Sequence, residues 1–509
     1  MVDKYVDVAN GKVHKMVKAE PVPNSDEICY IANIPDEILM RIVKLLKMKY
    51  LVSVSEVSKK LYSITNDPLL WKYFSFAKLS LSASTVLSML NQHRFSRVEK
   101  LNMNGKLTEL SKEQMKNMFS AIYKLKHLKI LLISRNRILE DKERTLEPVK
   151  NEKDSEFLQI FTSCISNIEE VHMASVKPKN FLLGILFEKL YFSDAKLRRL
   201  NIADSNLSNI RTSYFVEVVR NLEVVDLYGC IQGSPKVKEL FQKMTFKGQK
   251  NSKLRKLNLS MCNFQDIPTE VVADALNTLE EVELDWSELS KQQTKALFLK
   301  LSEDTNLKSL SFTNNDLSSI SPDIFSLALN NLEDLDLSMV ETSVDQLVSF
   351  FKQMGRKSNL RKLRIESMDL SLLSPGTISS SISQLSHIIL SHAHLTSQQL
   401  TRIIQGLGSN NKLLVLSGND ISQVPLEIFA KGLSKIQNLS LSNCNVTKEQ
   451  IQALHVELAG HQKEGVKGLH FGLVSKELAE VIEKIKTLPC SRLKLVVNFQ
   501  VIYCNNYRS

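Results

Sequence analysis

The sequence predicts an α/β fold in which a small N-terminal helical module precedes a solenoid of short parallel strands and helices. Two observations predict it. An apolar pattern of the form L-x-x-L-x-L returns fourteen times after residue 97. Repetition of this kind is typical of solenoids, in which each repeat adds one unit to a continuous core. Ahead of the repeats, residues 34–74 carry apolar residues at helical spacing instead.

The chain begins with a polar segment. Residues 1–27 combine Lys, Pro, Asn and Asp with few apolar side chains. Such a segment cannot bury enough apolar surface to fold alone, so the sequence predicts a flexible tail. The first residues also lack the basic start and apolar core of a secretory signal.

A first helix is predicted from Pro35. Proline suits the first helical position because its missing amide hydrogen costs nothing there, and Asp36 and Glu37 suit the positive end of the helix dipole. The next apolar residues recur at spacings of three and four and make a wide stripe: Ile38, Leu39, Ile42, Val43, Leu45 and Leu46.

Two further short helices complete the module. A second apolar stripe runs from Leu51 to Ile64, and Asp67-Pro68 then interrupts the chain before Trp71. Three short helices in about forty residues are marginally stable alone, so part of their apolar surface should face another protein. The alternative is that the module only shields the first repeat, as terminal caps do.

The order of three motifs in this module resembles an F-box. They are Ile-Pro-Asp-Glu-Ile-Leu at 34–39, Val-Ser-Lys-Lys-Leu-Tyr at 57–62 and Asn-Asp-Pro-Leu-Leu-Trp at 66–71. The resemblance covers residues 31–76, and it implies binding to the Skp adaptor of a cullin-RING ubiquitin ligase. The residues expected to bind the adaptor are Pro35, Ile38, Leu39, Leu46, Leu51 and Trp71. Residues 77–97 are expected to form a linker or the cap of the first repeat.

Residues 98–509 are predicted to form a leucine-rich-repeat solenoid of about 14–15 repeats. Each repeat should give one strand of a curved parallel sheet, with helices on the outside in the ribonuclease-inhibitor style. The repeated segments are Val98–Met103, Leu128–Ile133, Ile168–Met173, Leu197–Ile202, Leu222–Leu227, Leu254–Leu259, Leu279–Leu284, Leu307–Phe312, Leu332–Leu337, Leu360–Ile365, Leu385–Leu390, a shortened Leu414–Leu416, Ile436–Leu441 and Val466–Phe471.

Three of the seven cysteines are explained by the repeats. Cys230, Cys262 and Cys444 stand three residues after the last apolar strand residue, where other copies have Asn315 or Asn419. A small polar side chain there can satisfy backbone groups of the neighbouring turn. The odd count and wide spacing favour reduced thiols, and therefore a cytoplasmic or nuclear protein.

One insertion breaks the repeat period. Leu128 and Ile168 begin successive copies forty residues apart, and residues 139–156 between them are rich in charge. The composition favours a solvated loop, and a partner-binding loop is the alternative.

An F-box followed by such repeats resembles the F-box leucine-rich-repeat substrate receptors, including the S-phase kinase-associated type. That resemblance implies a non-catalytic subunit that brings a protein substrate to an SCF-type ubiquitin ligase. No phosphate-binding loop, nucleophile elbow or metalloprotease helix is found in the sequence, and no cofactor or metal is expected. A leucine-rich scaffold or immune-type recognition protein and a regulator of a GTPase remain the alternatives.

Composition limits the other partners. The net charge of +11 is spread along the chain without basic blocks or interleaved aromatics, which disfavours nucleic acid. No apolar run is long enough to span a membrane.

Strand geometry predicts a candidate substrate site. Residues on either side of the central leucine of each strand should point away from the core, onto the concave face. Three neighbouring strands then carry five carboxylates on that face: Glu281, Glu283, Asp285, Asp334 and Asp336. Lys256, Lys362 and Arg364 bound this patch. The hypothesis is that it recruits a basic segment of the substrate.

Overall fold

The computed structural model describes residues 4–7, 12–15, 34–46, 48–77, 79, 81–108, 110–135, 152–175, 181–230, 234–245, 252–303, 305–356, 358–408, 410–460, 468–474 and 494–499. The chain divides into two compact units, and each is described by itself. The first contains Met1–Leu240 and Asn251–Leu254, and the second contains Phe241–Lys250 and Arg255–Ser509.

An antiparallel hairpin lies within the predicted tail. Strand β1 (Lys4–Asp7) pairs with β2 (Lys12–Lys15), with Lys4 opposite Lys15. The expectation of a flexible segment is therefore wrong for these two stretches. Tyr5, Val6 and Val13 favour strands, and the Asn10-Gly11 dipeptide between them is a hairpin signal that the overall composition concealed. The other residues of 1–27 lie outside the described residues.

The predicted helical module is present. It comprises α1 (Asp36–Val43), α2 (Met48–Ser55), α3 (Lys59–Thr65) and a 3-10 turn (Pro68–Trp71). Local caps fix these boundaries. The Ser58 hydroxyl accepts the Leu61 amide at 3.2 Å at the start of α3, and the Asp67 carboxylate accepts the Leu69 amide at 2.8 Å before the turn.

In the part of the first unit that the structure describes, six parallel strands follow one another. They are β3 (Tyr73–Ser75), β4 (Lys100–Asn102), β5 (Ile130–Leu132), β6 (Glu170–His172), β7 (Arg199–Asn201) and β8 (Val224–Asp226). The intervening helices are α4 (Ala83–Leu90), α5 (Lys112–Tyr123), α6 (Glu152–Ser166), α7 (Phe181–Phe192), α8 (Thr212–Asn221) and α9 (Ser234–Thr245), the last extending into the second unit.

The first repeat begins earlier than the sequence suggested. Strand β3 lies inside the predicted module, and the predicted linker at 77–97 contains α4 and a 3-10 turn at His93–Phe95. Phe74 at the centre of β3 is fully buried. The module and the first repeat therefore share one core.

Among the described residues of the second unit, ten strands lie parallel to one another. They are β9 (Lys256–Asn258), β10 (Glu281–Glu283), β11 (Ser309–Ser311), β12 (Asp334–Asp336), β13 (Lys362–Arg364), β14 (His387–Ile389), β15 (Leu413–Val415), β16 (Asn438–Ser440), β17 (Gly468–Val474) and β18 (Lys494–Phe499). The helices are α10 (Thr269–Asn277), α11 (Lys291–Glu303), α12 (Pro322–Asn330), α13 (Val344–Arg356), α14 (Pro375–Ile382), α15 (Ser397–Gln405), α16 (Leu426–Leu433) and α17 (Lys448–Gly460).

The repeat prediction is confirmed. Each of the fourteen segments contains a strand, and the central residue from β3 to β16 is buried while its neighbours are partly or fully exposed. Alternate residues of a strand point to opposite faces. We call the side that carries these outward residues in the second unit the open face.

Buried glutamines join successive repeats of the second unit. Gln346 begins α13 and its side-chain amide donates to the Leu317 and Ile320 carbonyls at 2.8 and 2.6 Å, while its oxygen accepts the Ser343 amide at 2.7 Å. Gln293, Gln399 and Gln450 repeat the arrangement. In each repeat the first of these carbonyls also accepts a backbone amide, as Leu317 accepts that of Ile320 at 3.1 Å, and the glutamine gives the second buried carbonyl its side-chain donor.

The predicted cysteine role is confirmed at two positions. The Cys230 thiol donates to the Ile202 carbonyl at 3.3 Å, and the Cys444 thiol donates to the Leu416 carbonyl at 3.1 Å. The Asn419 amide donates to the equivalent carbonyl, Leu390, at 2.7 Å. Burial raises the pKa of the Cys444 thiol to about 11 and that of Cys164 to about 12.

The prediction of a loop at the charged insertion is wrong for its last residues. Residues 139–151 lie outside the described residues, but residues 152–156 form the start of helix α6 instead of a loop. Phe157 and Phe161 explain the difference, because they lie one turn apart on the helix and both are buried. In the part of the chain that the structure describes, no helix is both long and apolar enough to cross a membrane.

Candidate functional site

An exposed apolar stripe runs along the first helix of the module. Ile38, Ile42 and Leu45 are 48%, 47% and 85% exposed. They lie at positions i, i+4 and i+7, which place them on one face of the helix and its final turn. Large exposed apolar residues also follow in the next segments: Tyr50, Val57 and Leu69. Exposed apolar residues that share one helix face, as Ile38, Ile42 and Leu45 do, mark a candidate interaction site.

The six residues predicted to bind the adaptor divide into two groups. Pro35 and Ile38 are exposed and Leu46 is half-buried, so these side chains are available to a partner. Leu39, Leu51 and Trp71 are only 4%, 4% and 1% exposed. Their expected contact with the adaptor is corrected, because in this arrangement they fill the core that holds the exposed stripe in place.

Trp71 fastens the module to the first repeat. Its indole N–H donates to the Thr65 carbonyl at 2.7 Å, and its ring lies 5.7 Å from Phe74 and 5.4 Å from Phe95, centre to centre. The Arg94 guanidinium lies 5.4 Å from the indole centre. Burial lowers the pKa of Arg94, which is consistent with an enclosed cation over an aromatic ring. Helix α3, strand β3 and the turn at 93–95 therefore form one packed joint.

A lysine fixes the start of the stripe. The Lys60 ammonium donates to the Ile34 carbonyl at 2.7 Å and lies 3.3 Å from the Asp36 carboxylate. These two contacts tie the residues on either side of Pro35 to helix α3. The first turn of α1, including Ile38, is thereby held in position.

Five exposed apolar residues of the module were not among the predicted adaptor contacts: Ile42, Leu45, Tyr50, Val57 and Leu69. The sequence showed Ile42, Leu45 and Val57 as apolar positions at helical spacing. It did not show which side of the wide stripe turns inward, because that depends on how α3 packs against α1.

The predicted carboxylate patch forms on the open face of the second unit. Glu281 and Asp334 lie on either side of Ser309, and Glu283 and Asp336 lie on either side of Ser311. Asp285 accepts the Ser311 hydroxyl at 2.6 Å and the Thr313 amide at 2.8 Å. The strand register brings all five predicted residues together.

The neighbouring cations reach into this patch. The Lys256 ammonium lies 3.2 Å from Glu281 and 3.0 Å from Glu283, and although burial opposes it, these contacts raise the pKa of Lys256. Lys362 lies 2.7 Å from Asp334, and Arg364 lies 3.4 Å from Asp336. Residues expected only to bound the patch therefore form ion pairs with four of its carboxylates.

Asp336 is the most enclosed carboxylate of the patch. Burial raises its pKa and the negative charge of Asp285 adds to this, while the Ser338 hydroxyl and amide and the Arg364 charge oppose it. The Ser338 hydroxyl donates to Asp336 at 2.6 Å. Asp285 and Asp336 are thus close enough to repel each other across β11.

Two family models match the chain. The F-box-like model matches residues 31–77, and the Leucine Rich Repeat model matches residues 306–327, which include β11. The first match confirms the module predicted at 31–76, and the second supports the predicted repeats. No match is found among curated proteins.

Two solved structures resemble the chain. The Rad7 and Elc1 complex in yeast is 16% identical, with 76% of this chain and 88% of that chain covered and a TM-score of 0.46. The TLR13–ssRNA13 complex is 17% identical, with 79% of this chain and 67% of that chain covered and a TM-score of 0.38. Both scores lie below 0.5, so neither likeness carries an argument about function.

Proposed function

We propose that this chain, which joins an F-box-like module to leucine-rich repeats, is the substrate-recognition subunit of an SCF-type ubiquitin ligase. The exposed apolar stripe of the module carries the proposal. A cap that only shielded the first repeat would turn its apolar residues toward that repeat. Here the residues that do so are Trp71 and Phe74, whereas Ile38, Ile42 and Leu45 face away from the module's core.

The stripe suits a partner that buries apolar surface. Ile38, Ile42 and Leu45 offer aliphatic side chains of fixed backbone position, and the Lys60 contacts hold their helix. Such a preformed surface binds with little ordering cost. The partner proposed for it is the Skp adaptor, which would connect the chain to a cullin-RING ligase.

The role proposed for the repeats is positioning, and the chain itself is proposed to be non-catalytic. A substrate held on the repeats would have its lysines near a ubiquitin-charged enzyme bound elsewhere in the assembly. Proximity of this kind converts a bimolecular reaction into an effectively intramolecular one.

Direct binding to the purified Skp adaptor tests the proposal. Wild-type chain should bind with a 1:1 stoichiometry in isothermal titration calorimetry, and a chain lacking residues 31–70 should not bind. This deletion retains Trp71 and strand β3, so the repeats keep the start of their first strand. An intact, folded chain that fails to bind any Skp adaptor would favour the alternative, a leucine-rich-repeat recognition protein with a helical cap.

A further inference from the structure

One residue of each repeat adopts a left-handed backbone along the edge of the open face. It lies two positions after the last apolar residue of each strand segment, with φ between 51° and 75°. The residues are Met261, Trp286, Asn314, Met339, Ser367, His392, Gly418 and Asn443. Their amides donate to the next repeat, as Trp286 does to the Thr313 carbonyl at 2.9 Å. They therefore form a row with roughly the 4.8 Å spacing of the strands.

Three members of this row are large, apolar and exposed. Met261, Trp286 and Met339 are 52%, 51% and 45% exposed. Glycine and asparagine are the residues that tolerate this backbone, as at Asn314 and Gly418, while a bulky side chain is disfavoured. The exposed half of each side chain also contributes no free energy of burial. Folding alone therefore gives no reason for a tryptophan and two methionines in this row.

The carboxylate patch begins at the residue next to this tryptophan. Asp285 precedes Trp286, and Glu283 precedes Asp285 on the same outward side of β10. The five carboxylates of the patch meet three cations, Lys256, Lys362 and Arg364, which leaves an excess of two negative charges. An indole that follows a carboxylate patch of net negative charge attracts a cationic side chain to this edge of the open face.

We propose that Trp286, with Met261 beside it in the row and Met339 beyond Asn314, docks a polypeptide segment in which an arginine or lysine lies beside an aliphatic residue. The cation stacks on the indole and pairs with Asp285, and the aliphatic side chain contacts a methionine. Exposed tryptophan and arginine are the residues that most often dominate binding energy at interfaces. The inference deepens the proposed function and rests on it in one respect, because it identifies this segment as part of the substrate.

Trp286→Asn is the decisive variant. Asparagine tolerates the left-handed backbone better than tryptophan, so the variant should melt no lower than the wild type. Ser367→Asn is the control for the same backbone position, and Leu327→Gln is the control for exposed apolar area, since Leu327 is 49% exposed on α12. Trp286→Phe should retain part of the binding because it keeps an aromatic face.

The probe is a library of synthetic nine-residue peptides, screened against the full chain by fluorescence. The wild type should select arginine or lysine next to leucine, isoleucine or valine. Trp286→Asn and Asp285→Asn should each weaken the selected peptides at least tenfold, and both controls should bind like the wild type. Binding should also weaken between 50 and 300 mM salt, because exposed ion pairs are screened.

Three results would overturn the docking surface: no selection, selection of acidic peptides, or selected peptides that bind Trp286→Asn as well as the wild type. Adaptor binding is measured in parallel. If the peptides are selected as described but the wild-type chain does not bind the Skp adaptor, the docking surface stands and the ligase assignment falls. If the adaptor binds and no peptide is selected, the ligase assignment stands and this surface falls.

Discussion

Replacing Leu45 by aspartate should separate adaptor binding from folding. Leu45 follows α1 and its side chain is 85% exposed, so the isolated chain loses almost no packing when it is changed. Fully burying a leucine contributes about 1.5–3 kcal/mol. Burial of the exposed 85% against a partner would therefore supply about 2 kcal/mol, or roughly thirtyfold in Kd.

Aspartate should cost more than this lost contact. Its carboxylate would either be buried without a partner or keep part of the interface hydrated, and both outcomes weaken adaptor binding further. Ile38 and Ile42 are about half as exposed and should each contribute roughly 1 kcal/mol. We therefore expect Leu45→Asp to weaken adaptor binding by at least about thirtyfold, and more than either isoleucine-to-alanine change.

Titration calorimetry of the full chain with the purified adaptor measures the effect. Leu372→Asp is the matched control, because Leu372 is 70% exposed and lies between β13 and α14, in the second unit. Both variants should melt within about a degree of the wild type. If Leu45→Asp binds with the wild-type Kd, the stripe is not the adaptor site, and the reasoning from exposure is refuted.

Three other predictions concern the core. Leu39→Asp should lower the melting temperature and abolish adaptor binding together, because it buries a charge inside the module; a folded variant would contradict this. Gln346→Ala should lower the free energy of unfolding by about 1–3 kcal/mol in urea titrations, because the buried Ile320 carbonyl loses its side-chain donor, whereas Gln405→Ala, exposed on α15, should not. Cys164 and Cys444 should resist alkylation at pH 8 until unfolded, and stability should fall above about pH 9, since unfolded thiols ionise there while the folded thiols keep their protons.

The repeats could be predicted because two periods coincide in the sequence. The alternation of apolar residues within a segment shows which residues point into the core. The regular return of the segment shows that each copy forms a strand. A strand that stands outside the regular repeat, with one central apolar residue, is not marked by that recurrence. Strand β3 was therefore missed, since Tyr73-Phe74-Ser75 lies directly after helical motifs and resembles their continuation.

The proposed adaptor surface could be predicted only as a region. Ile38 and Leu39 are adjacent apolar residues about 100° apart on a helix, and the sequence gives no reason to bury one and expose the other. Helix α3 packs against α1, and in that arrangement Leu39 is buried and Ile38 is exposed.

The carboxylate patch shows the same limit for charge. Strand register followed from the repeat and placed Glu283 opposite Asp336 across one strand, as the structure confirms. The ion pairs of Lys256 and Arg364 with the patch could not be predicted from the register, because the rotamer of a long side chain depends on the charges around it. The left-handed row could be detected in the sequence, because Asn314, Gly418 and Asn443 all stand two positions after the last apolar residue of their segments. Trp286 stands at the same place, where a tryptophan is unexpected.

Trp71 joins the apolar stripe of the module to the first repeat within the first unit. A substrate receptor that works by proximity needs a fixed path from its adaptor-binding stripe to its first repeat, because a flexible linker would lower the effective concentration of the substrate's lysines. The bond from Trp71 to Thr65 and its packing on Phe74 and Phe95 connect the module to the sheet directly. Its burial therefore favours a positioning role over a contact role.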